Sequence, residues 1–112
     1  MQNNGIYIML ILLIVIFESV GQYHIKKSKI NNSMIFLIIG FLSYGVVCIL
    51  LKKCYDFNGM GITNFVWSVL SIVSLLMIGV LAFNEKITKT DIIGIFLSII
   101  GLYLIFVFEH PN

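Results

Sequence analysis

The stretch Ile11–Lys27, ILLIVIFESVGQYHIKK, decides the architecture of this chain because it places a carboxylate inside an apolar run. The uncharged part begins near Gly5, so a helix would carry Glu18 roughly 20 Å into a hydrocarbon core about 30 Å thick. A charge at that depth costs roughly 2.5–3.5 kcal/mol on insertion scales, and such residues commonly mark functional sites. Glu18 is therefore the first candidate for a functional residue.

Composition indicates an integral membrane protein. The chain has 112 residues, of which 60% are hydrophobic and only 11% are charged, whereas soluble domains are about 25% charged. The net charge of +2 is too small to suggest nucleic acid as a partner. The two cysteines and two histidines are isolated from one another, and the chain has no nucleophile–base pair or phosphate loop. We therefore predict no enzyme activity, no cofactor and no metal site.

Four apolar segments are long enough to cross a bilayer, and they continue without the period-two alternation of barrel strands. We predict an all-α membrane protein in which residues 1–112 form a single four-helix transmembrane domain. The predicted helices are Gly5–Ile25, Met34–Leu51, Gly61–Phe83 and Ile92–Phe108. Thr90 or Asp91 is expected to cap the fourth helix, with Thr88 as a weaker candidate.

The distribution of lysine predicts the orientation. The first and third loops share one side of the membrane and carry five of the seven lysines, so the positive-inside rule favours a cytoplasmic location for them. A bias this small is also what a protein inserting in both orientations would show. We expect a multi-pass protein of the cell membrane.

Polar side chains inside a bilayer collect where helices meet one another or a water-filled cavity. On the first helix, Gly21 and Gln22 share the face of Glu18 because they follow it by three and four residues. The second helix offers Gly40, Ser43, Tyr44 and Cys48 on adjoining positions, and the third carries a polar stripe of Asn64, Trp67, Ser68, Ser71 and Ser74.

Each of these features has a structural alternative. The serines of the third helix could serve helix packing alone, and Trp67 could be an interfacial anchor instead of a cavity wall. Glu18 could be neutralised by Lys26, two helical turns away. On the fourth helix, small residues form a stripe that lets another helix approach closely, within one monomer or across a dimer. This stripe consists of Gly94, Ser98 and Gly101.

With these landmarks, the chain resembles the small multidrug resistance transporters, four-helix members of the drug/metabolite transporter superfamily. Glu18, Gly21 and Lys26 follow the family's order in the first helix, and Tyr44 falls at an aromatic position of the second. The segment GMGITNFVWS and the fourth helix supply further matches at Gly61, Trp67, Ser68, Gly94 and Gly101. The landmarks keep one register without gaps over nearly the whole chain.

The chain departs from the family pattern at three positions. Asn64 stands where family members have a tyrosine that lines the substrate site, and Ser71 stands where they have a glycine. Gly59 replaces the loop proline before the third helix. The segments VGQYHIKK and FNEKITKTDIIG are also similar to the wider superfamily, which includes metabolite exporters and lipid-linked-sugar flippase subunits.

The resemblance implies a proton-coupled exporter of small, cationic or amphipathic compounds. Glu18 would be shared by proton and substrate, with Trp67 and Tyr44 offering aromatic faces to a cation. Asn64, Ser71 and Gln22 would orient the carboxylate or the substrate.

Four helices of this size enclose too little volume for a pathway with two gates, so we expect a dimer. The resemblance implies an antiparallel homodimer, and a heterodimer with a similar small subunit is the alternative. Gly21 and the Gly94, Ser98 and Gly101 stripe are the expected packing or dimer positions. The partners are then the lipid bilayer, protons and a small-molecule substrate.

Two other functions remain open at this stage. One is a metabolite carrier or a lipid-linked-sugar flippase subunit of the same superfamily. The other is a membrane protein that transports nothing and instead assembles with, or regulates, another complex. The isolated Glu18, with no lysine in the core of any span, favours transport over the latter.

Overall fold

Four α-helices make up most of the part of the chain that the computed structural model describes, residues 4–105 and residue 107. They are α1 (Asn4–Asn31), α2 (Met34–Cys54), α3 (Met60–Phe83) and α4 (Lys89–Leu104). No strand occurs within those residues. The predicted all-α fold with four helices is confirmed.

The connection between α1 and α2 is much shorter than the lysine-rich loop that the sequence suggested. α1 continues past the predicted end at Ile25 to Asn31, which leaves Asn32 and Ser33 between the two helices. Lysine is a good helix former, so it does not interrupt the helix. The helix ends where Asn32 adopts a left-handed conformation with φ of 52°, which asparagine tolerates better than most residues.

The start of α4 differs from the prediction, because Thr88 and not Thr90 or Asp91 caps the helix. The Thr88 side chain accepts a hydrogen bond from the Asp91 backbone N–H, and the Asp91 carboxylate accepts one from the Thr88 N–H. This reciprocal capping box satisfies two backbone donors at once. The hydrogen bond from the Thr88 backbone lowers the pKa of Asp91 below its ordinary value.

Within the described residues, three helices are long and apolar enough to cross a membrane: Gly5–Asn31, Met34–Cys54 and Met60–Phe83. The described part of α4 has 16 residues, and its predicted end at Phe108 lies outside the described residues. Large apolar side chains such as Phe41 and Leu81, each 77% exposed, cover the outside of the helices. Such a surface suits hydrocarbon and not water.

α1 is the central helix of the fold. It packs most extensively against α2 and next against α3, while α4 packs on α3. The hydrophobic core accordingly draws on the first three helices, with Tyr7, Leu10, Ile11, Ile14, Val15, Val47, Cys54 and Val66 as its buried members. No described residue of α4 is buried.

The close approach of α1 and α2 depends on glycine. A Cβ atom on Gly40 would lie 2.6 Å from Ile25 Cγ1 and 3.0 Å from the Gly21 backbone oxygen. A Cβ on Gly21 would lie 3.2 Å from both Ser43 Cβ and the Tyr44 ring. Small residues allow helix backbones to approach closely in membranes, so this pair sets the distance between α1 and α2.

We predict that Gly40→Ala destabilises the protein by about 1–3 kcal/mol, because the added methyl group overpacks the contact between α1 and α2. Gly45→Ala is the matched control on the same helix, since a Cβ there would meet nothing within 4 Å. The control should be neutral or stabilising by roughly 0.5–1 kcal/mol. Thermal unfolding in detergent, followed by circular dichroism, measures both. Equal stabilities would contradict the glycine contact.

Candidate functional site

The Glu18 carboxylate accepts hydrogen bonds from two neighbouring helices. Its Oε1 accepts one from the Trp67 indole Nε1, at 2.9 Å, and one from the Ser71 hydroxyl. Its Oε2 accepts one from the Tyr44 hydroxyl, at 3.5 Å. α3 thus supplies two donors and α2 supplies one, and all three donors are neutral groups.

A second layer of contacts holds the Tyr44 side chain in place. The Gln22 side-chain amide donates a hydrogen bond to the Tyr44 hydroxyl at 2.7 Å, one helical turn along α1 from Glu18. Gly21 lies against the Tyr44 ring, where a Cβ would have crowded it. Gln22, Tyr44, Trp67 and Ser71 therefore come together around Glu18, either in direct contact with it or through one intervening side chain.

Asn64 lies apart from this cluster. Its side-chain amide donates to the Tyr55 hydroxyl at 3.3 Å and to the Met60 carbonyl oxygen at 2.8 Å. Asn64 is in the first turns of α3. Its two partners accordingly lie near the connection between α2 and α3. The structure therefore does not bring Asn64 together with Glu18, although the two were grouped by sequence.

Lys26 does not neutralise Glu18 in this structure. Its Nζ lies 3.5 Å from Glu85 Oε2, an ion pair between the end of α1 and the segment after α3. It is also the only ion pair among the described residues. Within that part of the chain, the carboxylate of Glu18 is held by hydrogen bonds alone.

Two further polar contacts between α1 and α3 were not predicted from the sequence. The hydroxyls of Tyr7 and Thr63 share a hydrogen bond of 3.0 Å, and those of Ser19 and Ser74 share one of 2.8 Å. The sequence separations are 56 and 55 residues, close to the 53 between Glu18 and Ser71. Similar separations are expected for two helices that run in the same direction, as α1 and α3 do.

The small residues of α4 divide between a packed end and an open end. A Cβ on Gly101 would lie 3.4 Å from the Phe65 ring of α3, whereas a Cβ on Gly94 would meet nothing within 4 Å. Ser98 donates to the Gly94 carbonyl oxygen at 2.9 Å. Gly101 thus serves packing within the monomer, and Gly94 leaves an open surface on α4.

Comparison with known protein families identifies the family of this chain. The family model described as Small Multidrug Resistance protein matches residues 6–98, which span Glu18, Tyr44, Trp67 and Ser71. The chain belongs to this family. Neither the curated proteins nor the solved structures contain a match. Membership confirms the resemblance seen in the sequence and makes the chain an integral membrane protein of a family of small multidrug transporters.

In this Small Multidrug Resistance protein, Trp67 is the only tryptophan, so its fluorescence reports on the Glu18 site. We predict that Glu18→Gln changes the intensity of Trp67 emission, because the substitution removes the charged acceptor of the indole N–H. Glu85→Gln is the matched control, since Glu85 pairs with Lys26. Emission spectra of both variants in lipid nanodiscs test this. Unchanged emission in Glu18→Gln would contradict the indole contact.

Proposed function

We propose that this protein exports small cationic or amphipathic compounds in exchange for protons, with Glu18 binding either the proton or the substrate. One observation carries the proposal: the Glu18 carboxylate is tied to α2 and α3 by neutral donors, without an ion pair among the described residues. Intramembrane ionisable residues of this kind mark ion and substrate pathways.

The competition between proton and cation follows from the charge of a single carboxylate. A proton on Glu18 cancels the negative charge that attracts a cation, and a bound cation disfavours protonation. The two ligands therefore exclude each other, and the inward movement of one is coupled to the outward movement of the other. Membership of a family of small multidrug transporters supports this reading.

The aromatic neighbours of Glu18 suit an organic cation better than a metal ion. Trp67 and Tyr44 both contact the carboxylate through their polar atoms, and their rings can contact the apolar groups of a cation. Ser71 and Gln22 hold the carboxylate and Tyr44 in place. Asn64 has no part in this proposed inner site.

The working unit in this proposal is a dimer in the cell membrane, with one Glu18 from each chain near the middle of the bilayer. The open surface of α4 around Gly94 supports contact with a second helix there. Alternating access by rocking of paired repeats around a central site is the general solution among secondary transporters. A homodimer, antiparallel as the resemblance implies, is the simplest assembly.

Proton release tests the coupling directly. Adding a quaternary ammonium compound to the purified protein in weakly buffered solution should release up to about one proton per cation bound at Glu18. Glu18→Gln should release none, because it has no carboxyl proton to lose. A pH electrode or an indicator dye measures the release.

Asp56→Asn serves as the control, because it removes a carboxylate from the connection between α2 and α3, outside the Glu18 site. It should retain proton release on cation binding. Release that persists in Glu18→Gln, or that disappears in Asp56→Asn, would contradict the assignment to Glu18. Proteoliposome uptake driven by a pH gradient then tests transport itself, and Glu18→Gln should show no accumulation above protein-free liposomes.

A further inference from the structure

A small pocket lies between the end of α1 and the end of α3, beyond the side chains that contact Glu18. Its volume is about 170 Å³, and its lining includes Gln22, Tyr23, Lys26, Gly79, Phe83 and Glu85. It therefore combines a carboxylate, two aromatic rings and an amide. None of the roles assigned above uses its carboxylate.

The Lys26 ammonium group occupies this region in the way that a bound cation would. Its Nζ lies 3.5 Å from Glu85 Oε2 and 5.9 Å from the centroid of the Phe83 ring. A carboxylate together with an aromatic face is also what recognises a quaternary ammonium ligand. We propose that this pocket is an outer binding site for small organic cations, and that Lys26 is a tethered competitor which the ligand displaces.

The backbone holds the Glu85 carboxylate against α3. Asn84 ends the helix in a left-handed conformation with φ of 56°, and the Glu85 N–H donates to the Gly79 carbonyl oxygen at 3.0 Å. A Cβ on residue 79 would collide with the Glu85 carboxylate. The turn at Asn84 and the missing side chain at Gly79 together hold the Glu85 carboxylate beside the pocket. Without them the carboxylate could extend into solvent.

The aromatic wall of the pocket is also ordered by contacts. The rings of Tyr23 and Phe83 lie 5.5 Å apart between centroids, with an interplanar angle of 37°. The ammonium group of Lys27, the next residue, lies over two rings. Its Nζ is 5.9 Å from the centroid of Tyr23 and 5.8 Å from that of Phe36. Only Lys26 of these two lysines faces the carboxylate.

Displacement of Lys26 requires little free energy. The side chains of Lys26 and Glu85 are both 49% exposed, and ion pairs at such exposure contribute little because water screens them. A displaced lysine can extend its long side chain toward the lipid head groups. A ligand with an apolar surface can contact the rings of both Tyr23 and Phe83. The ammonium group of Lys26 lies over Phe83 alone of these two.

The pocket adjoins the Glu18 site through Gln22. Gln22 lines the pocket and donates to Tyr44, which in turn donates to Glu18. Lys26 follows Glu18 by two helical turns, roughly 12 Å along the axis. We infer that a cation stops first in this pocket on its way to Glu18, and this role rests on the proposed function. Cation binding in the pocket can be measured whether or not the proposed function is correct.

Titration with tetramethylammonium tests the site, with the backbone amide resonance of Gly79 as the reporter. The measurements use nanodiscs and a Glu18→Gln background, which removes the inner carboxylate. Adding Lys26→Met should raise the affinity about two- to fivefold, the range expected for release of a half-exposed ion pair. Adding Glu85→Gln to that variant should abolish saturable binding.

Lys29→Met is the control, because it removes the same charge from the last turn of α1 without freeing Glu85 or the Tyr23 ring. It should leave the affinity at the value of the background protein. Equal gains in Lys26→Met and Lys29→Met would reveal a general charge effect and overturn the proposal. An unmoved Gly79 resonance in Lys26→Met, or binding that survives Glu85→Gln, would overturn it as well.

Trp67 fluorescence in the protein with Glu18 intact separates this proposal from the proposed function. A response of Trp67 without a response of Gly79 would support the inner site and overturn the outer one. A saturable response of Gly79 in the Glu18→Gln background supports the outer site. If it comes without proton release from the protein with Glu18 intact, the outer site stands and the coupling at Glu18 fails.

Discussion

The hydrogen bonds of the Glu18 carboxylate join the first three helices at one point. A charge in an apolar environment without partners costs several kcal/mol, and hydrocarbon supplies no partner. Here Trp67 and Ser71 of α3 and Tyr44 of α2 supply the donors. Because the donors come from different helices, satisfying one carboxylate ties α1 to both of its neighbours.

α1 is held to its two neighbours in different ways. Its contact with α2 is close and depends on Gly21 and Gly40. Its contact with α3 combines the apolar core around Val66 with polar pairs, Tyr7 with Thr63 and Ser19 with Ser74. A hydrogen bond between membrane helices contributes about 0.6 kcal/mol to stability on average. One such bond can therefore break while the others stay in place. A change at Glu18 acts most directly on α3, whose indole donor lies 2.9 Å away, while the hydroxyl of Tyr44 lies 3.5 Å away.

Periodicity within one helix was the reliable part of the sequence analysis. Three- and four-residue spacing predicted that Gln22 shares the face of Glu18, and that Trp67 and Ser71 lie on one stripe of α3. Contacts between segments were harder to predict, because they depend on turns. Lys26 pairs with Glu85 just after the left-handed turn at Asn84, and Asn64 meets Tyr55 across the short link from α2 to α3. A spacing rule contains no information on either turn.

Glu18 and Glu85 differ in the charge of their partners, and this difference gives their proposed roles an order. Neutral donors stabilise Glu18 without cancelling its charge, whereas Lys26 offsets the charge of Glu85. Two unit charges 4 Å apart attract by about 4 kcal/mol at an effective dielectric constant of about 20, but by only about 1 kcal/mol in water. Under the two proposals, a cation therefore binds weakly beside the half-exposed Glu85 and more strongly beside Glu18. A strong inner site would retain its cation. Under the proposed function, a proton releases the cation from Glu18, because protonation removes the charge that holds it.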